Sequence, residues 1–312
     1  MRVFDACALL YDKECWRSYL HRFIEPAPEY LKVFAPAFCR FFNVDKERYL
    51  SLLMQDAFRA VEFLVNKYDV ELDMIIPERR KNGIVGEFIM GSPQPTFDGL
   101  TVNEKLLISA VNSPGAQVWV GLPLGRPKLA VEIIETSLKR GASGANIIPF
   151  LDQVDVLDCS LSPIFSALSE AGLPTWIHTG HHFASRFPQG ADSWRKIDEL
   201  ALRFPDLKIV MGHAGWPNVL ESILVTSRHE NVYLEFSSHR AKSILNRPEW
   251  FGLRNATLAP TRYKILFGTS TWVNSRPAHV LAAELNILNL PLGVLNDWVF
   301  NNAVSLTNGI RR

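Results

Sequence analysis

The sequence predicts an α/β fold: a single (β/α)8 barrel with a helical insertion after its first strand. Three observations carry this. From residue 72 to residue 268, short apolar runs alternate with amphipathic helical stretches, the rhythm of parallel strands joined by crossover helices. The runs number seven and Arg2–Ala6 supplies an eighth; eight such units suit a closed barrel of this length. No Gly-rich phosphate turn of the GxGxxG or Walker type occurs, the feature that an open nucleotide-binding sheet would carry.

In chain order the expected strands are Arg2–Ala6, Leu72–Ile76, Gln117–Leu122, Ala145–Ile148, Thr175–His178, Lys208–Gly212, Val232–Phe236 and Lys264–Phe267. Each is rich in Val, Ile, Leu or aromatic residues, as strands covered on both faces must be. Helical patterns fall at Lys128–Arg140, Leu161–Ala171, Ser193–Phe204 and Pro217–Ser227, and Gly141, Gly172 and Pro205 punctuate three of their ends. Two insertions interrupt the rhythm. Residues 7–71 separate the first two strands; within Lys46–Lys67, Leu50, Leu53, Met54, Ala57, Val61 and Leu64 form one apolar stripe. Residues 78–100, rich in Gly and Pro, follow the second strand. Both leave from C-terminal strand ends, so the expectation is that they cap the barrel mouth and shape a pocket, the alternative being packing or a dimer contact. The whole chain, 1–312, is read as one domain.

Composition removes several function classes. With 47% hydrophobic and 21% charged residues the chain has ordinary globular make-up. A net charge of +1 gives no electrostatic reason to bind nucleic acid or an anionic membrane surface. No apolar run reaches the roughly 18 residues of a membrane span. The opening Met1-Arg2-Val3-Phe4-Asp5 becomes charged too early for a signal peptide. Cys7, Cys15, Cys39 and Cys159 show no zinc-finger or thioredoxin spacing. Together these lead to an expected cytoplasmic location and reduced thiols.

Residues at C-terminal strand ends converge in a barrel, so they form a site inventory. Strand one brings Asp5 and Cys7, strand four Asn146, strand five His178 with His181 and His182 beyond it. Strand six brings His213, strand seven Glu235 with His239 nearby, and strand eight Thr269 and Ser270. Strands five and six each end in a histidine at or beside a glycine turn, in Trp176-Ile177-His178-Thr179-Gly180 and Val210-Met211-Gly212-His213-Ala214-Gly215. His178 and His213 are therefore the foremost candidates for chemistry, imidazole being the group that titrates near neutral pH. Arg126, Arg240 and Arg276 follow strand ends and are candidates to grip a substrate carboxylate.

Gly172–Gly180, Phe204–Gly215, Asn231–Glu235, Lys264–Thr269 and Asn302-Ala303 together resemble the amidohydrolase-related family, the TIM-barrel hydrolases and decarboxylases that include the aminocarboxymuconate semialdehyde decarboxylases. The resemblance implies a metal ligand at His178 and a substrate-polarising or proton-relaying role for His213. It also implies a small-molecule substrate and a homodimer. Two family features are altered. The strand-one Asp-x-His-x-His run reads Asp5-Ala6-Cys7-Ala8-Leu9, and the strand-eight Gly-Thr-Asp reads Gly268-Thr269-Ser270. A rebuilt centre would draw on Asp5 or Cys7 together with His178 and His213 for one zinc, iron or manganese ion, with Glu235 and one of His181 or His182 as further donors. Cys7, Glu235, Ser270, His182 and Arg276 are then expected at the substrate, and no organic cofactor is expected. The activity so implied is hydrolysis or decarboxylation of a small carboxylate, ester or lactone, with the metal site altered or lost. Cys7 as a nucleophile is a variant of it. The competing reading is an inactive barrel that binds a small molecule or a protein.

Overall fold

The computed structural model describes residues 1–190, 193–258 and 260–307. Eight parallel strands form one sheet in sequential order: β1 (Val3–Ala8), β2 (Ile84–Met90), β3 (Ala116–Gly121), β4 (Gly144–Ile147), β5 (Thr175–His178), β6 (Ile209–Gly212), β7 (Val232–Glu235) and β8 (Ile265–Leu266). The last strand meets the first through Ala6 N–H donating to Phe267 O at 2.8 Å and Ser270 N–H donating to Cys7 O at 2.9 Å. Those bonds close the sheet into the expected (β/α)8 barrel. Because every strand is covered by helices, the strands are buried almost throughout, which is why they read as apolar runs rather than alternating ones.

The second strand is not where the sequence suggested. Residues 72–76 begin a helix, Leu72–Lys81, and the strand lies at Ile84–Met90, inside the stretch read as a Gly/Pro-rich insertion. A short apolar run does not distinguish strand from helix. Here the flanks decide: Asp73 in the first turn and Arg79, Arg80 and Lys81 in the last complement the helix dipole. The true strand was disguised by Gly86 and Glu87. Gly86 has no room for a side chain, since a Cβ would stand 2.4 Å from the Phe4 ring. Glu87 is fully buried but held by Arg79 and Arg80. The single insertion therefore runs from residue 9 to residue 83, and residues 78–100 are not a second one.

That insertion holds α1 (Lys13–Ile24), α2 (Pro28–Val33), α3 (Ala35–Phe41), α4 (Lys46–Gln55), α5 (Ala57–Val65) and α6 (Leu72–Lys81). The apolar stripe expected over Lys46–Lys67 is split between α4 and α5. Asp56 ends the first helix and caps the second, its carboxylate accepting from Phe58 N–H at 2.8 Å and Arg59 N–H at 3.2 Å. The break turns Met54 out to solvent while Val61 and Leu64 stay buried. Ion pairs from Arg79 to Asp5 (2.8 Å) and Glu87 (3.3 Å) pin α6 to the first two strands. Among the described residues no helix is long and apolar enough to cross a membrane.

Candidate active site

A cavity of about 260 Å³ occupies the C-terminal mouth of the barrel. Its floor comes from strand ends: Cys7 on β1, Asn146 on β4, Trp176 and His178 on β5, His213 after β6 and Ser270 after β8. Its walls come largely from the insertion, with Tyr19 and Phe23 of α1, Tyr30 of α2 and Phe34 beyond it. The insertion thus takes part in the pocket.

The two imidazoles meet on the floor. His178 and His213 have ring centroids 5.0 Å apart at 71°, and the Trp176 ring packs edge-on to His213 at 5.2 Å. The Trp176 ring occupies the space above Gly212, where a Cβ would lie 2.2 Å from it; the glycine before His213 is therefore a packing requirement. The chain then turns through positive φ at His213 (56°), Ala214 (55°) and Gly215 (61°), and Ser238 (68°) and Ser270 (42°) share this conformation. Left-handed backbone at non-glycine residues costs on the order of 1 kcal/mol each and gathers at functional sites.

The proton arrangement on His213 follows from its neighbours. Nδ1 lies 3.3 Å from the backbone oxygen of Ser237, which can only accept, so Nδ1 carries the hydrogen. The same nitrogen is 3.0 Å from Ser237 Oγ, which donates to Glu235 Oε2 at 2.9 Å. Nε2 is left as the lone-pair nitrogen. Glu235 is wholly buried behind this pair. It also accepts from Trp176 Nε1–H at 3.0 Å and from Ser237 N–H. Gly268 makes room for it, since a Cβ there would meet Glu235 Oε1 at 2.3 Å and Cys7 Cβ at 2.7 Å. Burial raises the Glu235 carboxyl to about 7 against the opposing pull of those hydrogen bonds. Burial, with each other's proximity as a second cause for His213 and that of His182 for His178, lowers both imidazoles to about 3. Both are neutral near pH 7. Burial, and then the field of Glu235, push the Cys7 thiol well above its ordinary value, so it stays protonated and its Sγ contacts Ser270 Oγ at 3.3 Å. A protonated thiol does not suit the nucleophile variant.

The other expected residues divide clearly. Cys7 and Ser270 line the cavity with His178, His213, His181 and His239. His239 is held down to about 3, first by burial and then by His213. Glu235 lies behind Ser237 and His213 and does not line the cavity. His182 is buried and stacks on Phe150 (5.0 Å, 14°) without lining the cavity. Asp5 is drawn away from the imidazoles: Oδ2 accepts from Arg79 (2.8 Å) and Thr269 Oγ1 (2.6 Å), and Oδ1 from Thr269 N–H (2.9 Å) and Cys7 N–H (3.2 Å). The expected ligand set of Asp5, His178 and His213 is therefore not assembled. Among the described residues no three of His, Cys, Asp or Glu gather as a metal-binding group. Arg276 borders a separate cleft and stands 3.9 Å from Glu284; Arg240 pairs with the same Glu284, and Arg126 is exposed. None of the three lines the cavity. Ser237 was not singled out from the sequence, and only its position two residues beyond Glu235 hinted at it.

Residues 100–304 match the family model described as amidohydrolase. No curated protein matches the chain. Among solved structures it is similar to an uncharacterised TIM-barrel protein from Bordetella bronchiseptica, with a TM-score of 0.67, 18% identity and 98% of each chain covered. It is similar to a 5-carboxyvanillate decarboxylase from Novosphingobium aromaticivorans complexed with manganese and a nitrobenzoic acid, with a TM-score of 0.62 and 14% identity over 98% of this chain and 96% of that one. A third similar structure is a 2,6-dihydroxybenzoate decarboxylase complexed with 2,6-dihydroxybenzoate, with a TM-score of 0.57 and 15% identity over 84% of this chain and 95% of that one.

Proposed function

Because the chain belongs to the amidohydrolase family, we propose that this enzyme hydrolyses a small ester or lactone at the cavity of His178 and His213. The observation that supports this most is the His213–Ser237–Glu235 chain, which holds a lone-pair nitrogen at a cavity-lining imidazole. In this reading water gives a proton to His213 Nε2 as its oxygen adds to the substrate carbonyl. His178 hydrogen-bonds the carbonyl oxygen as charge develops there. A buried imidazole is a weak base alone. Ionised Glu235, acting through Ser237, favours the imidazolium that forms, so the rate should rise as Glu235 loses its proton near pH 7. Collapse of the tetrahedral intermediate returns the proton to the leaving oxygen.

A divalent ion does not suit the residues present. A catalytic zinc site normally takes three protein ligands, whereas Asp5 and Glu235 have their oxygens engaged. Decarboxylation suits the cavity less well, because no Lys or Arg among the described residues lines it to hold the departing carboxylate.

The test is hydrolysis of 3,4-dihydrocoumarin by wild type, His213→Ala and His178→Ala. Loss of a general base should lower kcat by about 10²–10⁴-fold in the His213 variant. An unchanged rate there would remove His213 from the mechanism.

A further inference from the structure

Ten of the twenty-four described residues that line the cavity are Phe, Tyr or Trp, and none of them is Lys, Arg, Asp or Glu. The aromatic walls are mutually braced. Tyr30 stacks on Phe150 at 5.0 Å and 10°, and Trp272 on Phe38 at 4.6 Å and 8°. Two of the lining polar groups are already engaged with the backbone: Tyr11 donates to Met90 O at 2.5 Å, and Asn146 donates to Gly91 O (3.2 Å) and Trp119 O (2.7 Å). The cationic side chains around it are already paired: Arg22, whose field reaches the lining Tyr11 and Tyr19, bonds Asp152 at 3.0 Å, and Arg240 and Arg276 lie outside and face Glu284. A buried carboxylate would therefore meet ring faces and edges with no Lys or Arg among the described lining residues, and losing its water without a cationic partner is strongly unfavourable. A planar neutral ring would meet faces and edges that suit it. The cavity, at about 260 Å³, exceeds the roughly 150 Å³ that accommodates a benzene molecule. That leaves room for one ring and a carbonyl-bearing group.

We infer that the ligand of this cavity is an uncharged carbonyl compound bearing one aromatic ring, and that its carboxylate counterpart is excluded. This rests on the reading of the cavity as the active site, and it adds a consequence: hydrolysis converts a neutral ester or lactone into an anion that the same walls reject, which favours product release.

Acetophenone and benzoate form a nearly isosteric pair that differs in charge, and neither is hydrolysed. Binding of each to the full chain at pH 7.5 is followed by calorimetry and by the fluorescence of the lining tryptophans. Acetophenone should bind at least about tenfold more tightly than benzoate. Phe150→Leu, which keeps apolar volume and removes the ring face, should weaken acetophenone by about threefold or more. Benzoate binding as tightly as acetophenone, or no acetophenone binding up to its solubility limit, would overturn the inference. So would an affinity unchanged by Phe150→Leu in a variant whose thermal melt shows it folded. Dihydrocoumarin turnover separates this from the proposed activity: preference for acetophenone without turnover leaves the ligand class standing and removes the hydrolysis, whereas turnover with benzoate preferred does the reverse.

Discussion

Glu235→Gln should change the protein's stability in opposite senses at low and high pH. The carboxyl is wholly buried and raised to about 7 from an ordinary 4.5, chiefly by desolvation. A raised carboxyl favours its protonated form in the folded state. Its contribution is therefore fully favourable below pH 4.5 and is lost as pH climbs through 7. With those two values, linkage gives a cost of ionisation of about 0.8 kcal/mol at pH 5 and about 3.4 kcal/mol at pH 8. Glutamine carries no charge and avoids this cost, but one of its two ends is a donor where Trp176 Nε1–H and Ser237 N–H need acceptors. That mismatch costs about 1–3 kcal/mol at either pH. The difference between variant and wild type should consequently swing by about 2.5 kcal/mol in the variant's favour from pH 5 to pH 8. Urea denaturation at the two pH values, with both chains fitted to a common m-value, measures the swing directly. A stability difference that does not change with pH would show that Glu235 titrates normally, and would refute the burial argument on which its role behind His213 depends.

Four further outcomes follow from the same geometry. Gly212→Ala should destabilise the fold by about 1–3 kcal/mol, because its Cβ would enter the Trp176 ring; equal denaturation midpoints would contradict that packing. Arg79→Met leaves Asp5 buried without its cation and should cost about 3–5 kcal/mol, read by the same denaturation. His178, His213 and His239 are each held near 3, below the ordinary 6.5, chiefly by burial. Depressed histidines contribute stability that is lost as pH falls from 6.5 towards 3. His239→Phe should therefore flatten the acid limb of stability against pH by about one proton, and an unaltered limb would place that imidazole in water. Finally, kcat/KM for dihydrocoumarin should rise through about pH 7 in wild type, as Glu235 ionises, and lose that rise in Glu235→Gln; a profile shared by both would detach Glu235 from catalysis.

The barrel was legible because strands covered on both faces must be apolar, and β4, β5, β6 and β8 are short runs between glycine or proline breaks. β2 was hidden for the opposite reason. Its glycine and glutamate look like loop residues until Phe4 and the Arg79–Arg80 pair, remote in sequence or on another element, are seen to require them. The imidazole pair was legible because a glycine adjoins the strand end on β6 and a glycine turn follows β5. The serine that fixes the His213 tautomer was not, since it acts partly through a backbone oxygen that any residue could supply. The aromatic walls were unreadable as well: Tyr19, Phe23, Tyr30 and Phe34 have the spacing of helix cores, and only the folded insertion turns them onto the cavity. Asp5 shows the converse. It occupies a position where the resemblance implies a site residue, but Arg79 and Thr269 claim both its oxygens.

In the proposed reaction two neutral imidazoles act on a neutral carbonyl compound without a metal centre. The most direct measurement is calorimetric titration of the chelator-treated full chain with manganese and with zinc, repeated on His178→Ala and His213→Ala. The expected result is no saturable one-to-one binding in the micromolar range that depends on either histidine. Stoichiometric, tight uptake by wild type that vanishes in both variants would contradict the account.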